Sequence, residues 1–123
     1  MTPTYRLRSV VLGTPDPRAL AAFYRRLVGG EIVDDEDTWV VLQVDRSWRL
    51  AFQLEVDHVP PVWPAGAGDQ HMQAHLDIAV DHLADATAHA MAEGATVAAF
   101  QPQDDVRVLL DPDGHPFCLF EVS

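Results

Sequence analysis

The two halves of this chain can be laid over one another. Ser9 aligns with His75 and Asp45 with Asp111, 66 positions apart; Gly29 aligns with Gly94, Phe52 with Phe117 and Gln53 with Cys118, 65 apart. In 123 residues a period this long leaves room for two copies and excludes a solenoid of many short repeats. The expectation is α+β: two tandem β-α-β-β-β units, with module one at about 1–56, a linker at about 57–72 and module two at about 73–123.

Local signals agree with that division. Ser9 to Leu12 reads as a strand. Asp16-Pro17 supplies a cap and a first-turn proline, and Leu20, Phe23, Tyr24 and Leu27 fall on one helical face. Gly29-Gly30 ends that helix. Glu31 to Val33 starts a strand, Asp34 to Asp37 is expected as an acidic, solvated turn, and Trp39–Val44 and Arg49–Leu54 follow as strands. No calcium-loop spacing accompanies those acids. His58 to Gly68 carries three Pro and two Gly around Trp63, which reads as a long loop. The second copy runs from Ala74–Val80 through a helix capped by Asp81, with Leu83, Ala86, Ala90 and Met91 on one face. Gly94 ends it, and Ala95–Phe100, Val106–Leu110 and Pro116–Val122 are the remaining strands, with a turn at Asp111-Pro112-Asp113-Gly114.

Charge narrows the function. Nineteen acids stand against eight Arg and no Lys, a formal net charge of −11. Such a surface repels phosphate backbones, which argues against nucleic acid as a partner. Without lysine there is no Schiff-base amine and no P-loop clamp. The lone Cys118 excludes an internal disulfide and suits a reducing compartment. No apolar run approaches the roughly 20 residues of a membrane span, and Met1 to Arg8 has no secretory-type apolar core. A soluble, cytoplasmic protein with no membrane partner is expected.

Three stretches, taken in order, resemble a known family: Val11-Leu12 with Asp16, Phe23-Tyr24 and Gly29-Gly30; His75 to Asp81; and Asp111-Pro112-Asp113-Gly114-His115-Pro116-Phe117. They look like the glyoxalase, bleomycin-resistance and extradiol-dioxygenase proteins, the vicinal oxygen chelate superfamily. The resemblance covers nearly the whole chain. It implies a single glyoxalase-like domain whose curved sheets form one cup with helices outside, a small molecule in the cup and, in many members, a divalent metal. The metal-ligand positions it implies fall on Ser9, Gln53, His75 and Cys118. Only His75 is of the usual kind; Ser9 stands where His or Gln is usual and Cys118 where Glu is usual. With no carboxylate among the four, a hard cation is poorly served. One imidazole and one thiol could suit zinc. No cofactor is expected, with His75 the one ligand if a divalent metal does bind.

Strand alternation then assigns a cup lining. Ser9, Trp39, Val41, Gln43 and Gln53 come from module one; His75, Asp77, Arg107, Leu109, Cys118 and Phe120 come from module two; Trp63 reaches in from the loop as a lid or a dimer contact. Asp77 has two candidate partners. Bonded to His75, it would orient the ring and raise its basicity, as a general base requires. Paired with Arg107, it would be structural. Arg107 could instead clamp an anion. The plainer reading of Cys118 is a small buried apolar residue. His71, His58, His82, His89 and His115 carry no comparable signal.

The expected function is a small-molecule-binding protein without the usual metal centre. It would act by sequestration or by metal-free acid/base chemistry at His75 and Asp77. Its ligand would be partly aromatic or apolar, with Arg107 available to an anionic group, and a homodimer is among the assemblies open to the chain. The alternative is a metal-dependent lyase, isomerase or dioxygenase of the same superfamily. A third reading is an interaction module docking through the Trp63 loop.

Overall fold

The structure, a computed structural model, describes residues 2–122; Met1 and Ser123, the ends of the expected domain, lie outside the described residues. The chain divides into two compact units, the first ending at His58 and the second beginning at Val59. The Pro-rich stretch expected as a linker therefore falls almost wholly in the second unit.

The first unit runs β1 (Val10–Thr14), α1 (Pro17–Val28), β2 (Glu31–Glu36), β3 (Trp39–Gln43) and β4 (Arg49–Leu54). Its sheet order is β1-β4-β3-β2, with β1 parallel to β4 and the other pairs antiparallel. The helix begins as its sequence dictates. Asp16 accepts a hydrogen bond from the Ala19 N–H at 3.1 Å, and Pro17 occupies the first turn, where its missing N–H costs nothing. Leu20, Ala21, Phe23 and Tyr24 are buried, and the Tyr24 ring stacks on Phe52 of β4 at 5.9 Å. Phe23, Tyr24 and Phe52 are wholly buried, each contributing about 2–3 kcal/mol of transfer free energy. At Gly30 the backbone has φ +98°, and a Cβ there would collide with the Gln43 carbonyl. That close approach lets the chain turn from the helix directly into β2.

The acidic run is not a turn. β2 continues through Asp34, Asp35 and Glu36, and only Asp37-Thr38 turns. Arg18 on α1 bonds both Asp35 and Asp37, which removes part of the repulsion that would oppose an acidic strand. A bulge between Ile32 and Asp34 shifts the register at Val33.

The second unit repeats the order: β5 (Leu76–Val80), α2 (Leu83–Ala92), β6 (Thr96–Val97), β7 (Val106–Leu110) and β8 (Pro116–Glu121), with sheet order β5-β8-β7-β6. The chain is thus α+β with two tandem βαβββ modules. Two local expectations fail here. Asp81 does not cap α2; the N-cap is His82, with no side-chain bond, and the Leu83 N–H donates to Glu121 Oε1 at 2.8 Å. Pairing of Val80 with Glu121 brings that carboxylate beside the first turn. The strand expected over Ala95–Phe100 shortens to Thr96–Val97 because the Gln101 amide takes over the ladder, donating to Ala98 O and Val108 O and accepting from the Val108 N–H. Of the expected α2 face, Ala90 is buried while Met91 is half exposed.

The turn joining β7 to β8 is organised by Asp111, which is buried. Its Oδ1 accepts from the Asp113 and His115 N–H groups at 2.9 and 3.0 Å, and its Oδ2 lies 2.8 Å from His115 Nδ1. Gly114, at φ +87°, lies against Pro60, where a Cβ would stand 2.7 Å from the proline ring.

Candidate functional site

Register sorts the second sheet into two faces. Asp77, Cys118 and Val108 are cross-strand partners, as are Ala79, Phe120 and Val106, so these six share a face. His75, just before β5, has the same parity. This face lines a hollow of about 850 Å³, with Trp63 and the segment from Pro102 to Asp105 completing its wall.

In its lining three donors converge, of which His75 and Asp77 are exposed and Cys118 is buried. His75 Nε2 lies 3.1 Å from Asp77 Oδ1. One atom each from His75, Asp77 and Cys118 lies within 4.8 Å of the others. Above them the Trp63 indole stacks on the His75 ring, centroids 5.1 Å apart, and meets Phe100 edge-on at 5.3 Å. Trp63 is half-buried and precedes a cis peptide bond to Pro64. The Cys118 thiol is pushed above its ordinary pKa, first by burial and then by the negative charge of Asp77.

Arg107 and Leu109 are not on this face. Their partners are Leu119 and Phe117, which belong to the opposite side with Ile78 and Leu76, and neither residue lines the hollow. The reason is a repeat that changes length. β5 follows β1 at an offset of 66, but β7 and β8 follow β3 and β4 at 67. One residue of slip exchanges the two faces of a strand. Val41 therefore corresponds to Val108, and Cys118 corresponds to Ala51 rather than Gln53, which itself corresponds to Phe120. Of the two candidate partners for Asp77 the structure shows His75; Arg107 donates to the Val106 carbonyl instead, at 3.4 Å.

The first-unit residues share one face of their own sheet. Val11, Ala51 and Val41 are partners there, as are Gly13, Gln53 and Trp39, with Gln43 beside Arg49 and Ser9 in the same parity before β1. Gln43 Oε1 accepts from Arg49 at 2.6 and 2.9 Å, and Gln53 donates to Glu55 at 2.7 Å. Ser9 lines a separate small cavity of about 240 Å³ with Arg8 and Trp48.

Sequence reasoning missed two acids of the second-unit hollow, Asp104 and Asp105. Asp104, Asp105 and Glu121 all line it beside Asp77. Glu121 ends the last strand, three residues after Cys118 and so of opposite strand parity, yet it lines the hollow.

A divalent ion is what the resemblance implies for such a site. The donors on hand are an imidazole, a carboxylate and a thiol, so Asp77 adds the carboxylate that the expected set lacked. Donors around a tetrahedral zinc stand about 3.3–3.8 Å apart, so closure by up to about 1.5 Å would be needed. The set fits a zinc-like ion and does not fit magnesium or manganese, which take oxygen ligands. Such an ion would be held by His75, Asp77 and Cys118 and would supply Lewis-acid polarisation of a ligand oxygen. Loading it requires the Cys118 proton to leave, and burial with the Asp77 charge holds that proton on.

Comparison with known proteins places the chain. The profile of the glyoxalase-like domain matches residues 9–120. No curated protein shows a significant match. Similar solved structures include a glyoxalase/bleomycin resistance protein/dioxygenase family enzyme from Burkholderia phytofirmans PsJN, 21% identical, covering 94% of this chain and 97% of that one with a TM-score of 0.69. A glyoxalase-related enzyme from Fulvimarina pelagi is 19% identical over 97% of this chain and 89% of its own, TM-score 0.68. A glyoxalase/bleomycin resistance protein from Catenulispora acidiphila is 23% identical over 94% and 97%, TM-score 0.58. At these identities the likeness is one of fold, and with the profile match spanning both modules the chain belongs to the glyoxalase-like domain family.

Proposed function

We propose that the protein binds a small, partly aromatic molecule in the hollow of its second unit and works there without a resident metal ion. It would act by sequestration or by proton transfer at His75. The observation that carries this is the His75–Asp77 contact at 3.1 Å in the lining of the hollow, with Trp63 stacked on the His75 ring. A carboxylate on one ring nitrogen fixes the tautomer and the orientation of the ring, which a proton-transferring imidazole requires. Trp63 and Phe120 offer ring faces for stacking. The same contact weighs against a resident ion, because it engages two donors with each other, and the third, Cys118, holds its proton. The lone cysteine agrees with a cytoplasmic setting.

The second reading is metal-dependent chemistry, favoured by the convergence of His75, Asp77 and Cys118. One experiment separates the two. The protein, dialysed against a chelator, is screened with aromatic small molecules by ligand-observed NMR, alongside Trp63→Ala and Phe120→Ala. Hits that persist without metal and weaken in both variants support the metal-free reading. Hits that appear only when zinc is restored, and vanish in Cys118→Ser, transfer the function to the second.

A further inference from the structure

We infer that the small cavity of the first unit, where the start of β1 meets the turn between β3 and β4, binds an aromatic carboxylate. The site uses first-unit residues alone and is additional to the second-unit hollow.

The first observation is a segregation of charge. The chain is strongly acidic, yet the two stretches that meet here are not. Residues 2–12 and 43–50 hold Arg6, Arg8, Arg46 and Arg49, half of the arginines in the chain, against one acid, Asp45. Parallel pairing of Val10 with Leu50 brings the two stretches together. Between them lies a cavity of about 240 Å³ whose wall includes Arg8, Ser9, Ser47, Trp48 and Arg49 and, among the described residues, no carboxylate. Asp45 is engaged elsewhere: its Oδ1 accepts from the Ser47 and Trp48 N–H groups, both at 2.8 Å, and so builds the turn.

The second observation is an arginine fixed in place by a neutral partner. Arg49 is half-buried, where a charge without a counter-ion is costly. Its Nε and Nη2 both donate to Gln43 Oε1, at 2.9 and 2.6 Å. That oxygen is itself held, because the Gln43 amide nitrogen donates to the Asp45 carbonyl at 2.7 Å and the Trp48 carbonyl at 3.3 Å. The amide orients the guanidinium without neutralising it. A planar carboxylate completes such a fork better than a compact dipole does, and Arg8 brings a second positive charge to the same wall.

The third observation is the ring beside them. Trp48 is 57% exposed, and its carbonyl accepts from the Val44 N–H at 3.0 Å, so the turn that carries the indole is pinned. An exposed indole on a fixed turn, next to two arginines, offers a stacking face for the body of the ligand. A cavity this small suits a single ring.

Calorimetry and proton–nitrogen NMR on the full chain test this with benzoate, benzyl alcohol and acetate, at about 0.15 M salt so that distant acids are screened. Benzoate is expected to bind about tenfold or more tighter than either of the others, since it alone has both ring and charge. The Trp48 indole N–H and the Arg8, Ser9 and Ser47 amides should shift with one dissociation constant. Arg8→Gln, in the exposed segment before β1, should weaken benzoate about three- to tenfold without changing the melting temperature, and Arg49→Gln should weaken it more. A control, Arg107→Gln, removes one positive charge from outside the cavity and should leave benzoate as it was; an equal loss there would reduce the effect to net charge and overturn the assignment. Benzyl alcohol binding as tightly as benzoate would overturn the carboxylate preference, and acetate doing so would overturn the aromatic one. Benzoate shifts confined to the second unit, or no binding at millimolar concentration, would overturn the site.

Discussion

The indole of Trp63 lies over the imidazole of His75, planes 28° apart and centroids 5.1 Å apart, so a residue from the Pro-rich loop covers one face of the histidine that lines the hollow. Removing that cover should separate binding from folding. Trp63→Ala is expected to cost about 1–2 kcal/mol of stability, since the ring is only half-buried. It should cost about tenfold in affinity for an aromatic ligand, while Trp63→Phe retains most of both. Urea melts and calorimetry on the same samples check this; a Trp63→Ala protein that binds as well as the parent contradicts it.

Cys118 should behave as a reluctant nucleophile. Its folded pKa lies above the ordinary thiol value, so the folded state keeps the proton to higher pH than the unfolded chain does. The rate of alkylation by iodoacetamide should therefore rise with pH later than that of a free thiol. Asp77→Asn, which removes the smaller, charge-based part of the shift, should speed the reaction at fixed pH. The linkage has a definite sign: a raised thiol pKa makes stability fall as pH climbs from the unfolded thiol pKa through the folded one. Stability rising over that range would refute the assignment.

The β7–β8 turn should be the costliest polar site in the second unit. Asp111→Ala leaves the Asp113 and His115 N–H groups and the His115 ring without their acceptor, at about 2–3 kcal/mol. Asp111→Asn, which retains one carbonyl oxygen, should cost less. Thermal melts of both variants provide the comparison, and a neutral Asp111→Ala would be inconsistent with this role.

Glu121 should act as a cap supplied from another element. Glu121→Ala is expected to lose about 1 kcal/mol as the Leu83 N–H loses its acceptor, and Glu121→Gln should recover most of it. Asp81→Ala should have little effect on the helix, since Asp81 makes no cap bond to it. Circular dichroism melts distinguish the two positions.

Much of the fold could be read from residues whose conformational demands are local. Asp16-Pro17 and Gly29-Gly30 bracket α1 because a cap, a fixed φ and a positive φ act within a few residues. What escaped reading depended on contacts between elements distant in sequence. Asp34 to Glu36 extend β2 with Arg18, sixteen to eighteen positions earlier, neutralising two of the nearby acids. Glu121 displaces Asp81 as the cap from the far end of the chain. In the site, Asp77, Cys118 and Phe120 lie on strands whose alternation is unbroken, and His75 keeps that parity just before β5, so the sequence sets all four on one face. Arg107 and Leu109 were misplaced because the overlay carried an offset of 66 into strands that repeat at 67. That single residue changed the expected charge of the hollow.

The central claim is that the second-unit hollow holds the ligand, and backbone and side-chain NMR on labelled full-length protein reads it directly. On titration with 2-naphthylmethanol, the account predicts that the largest shift changes fall on Trp63, His75, Asp77, Val106 and Phe120, saturating together with one dissociation constant. Changes confined to the first unit, with the His75 ring and the Trp63 indole N–H unmoved, would contradict it.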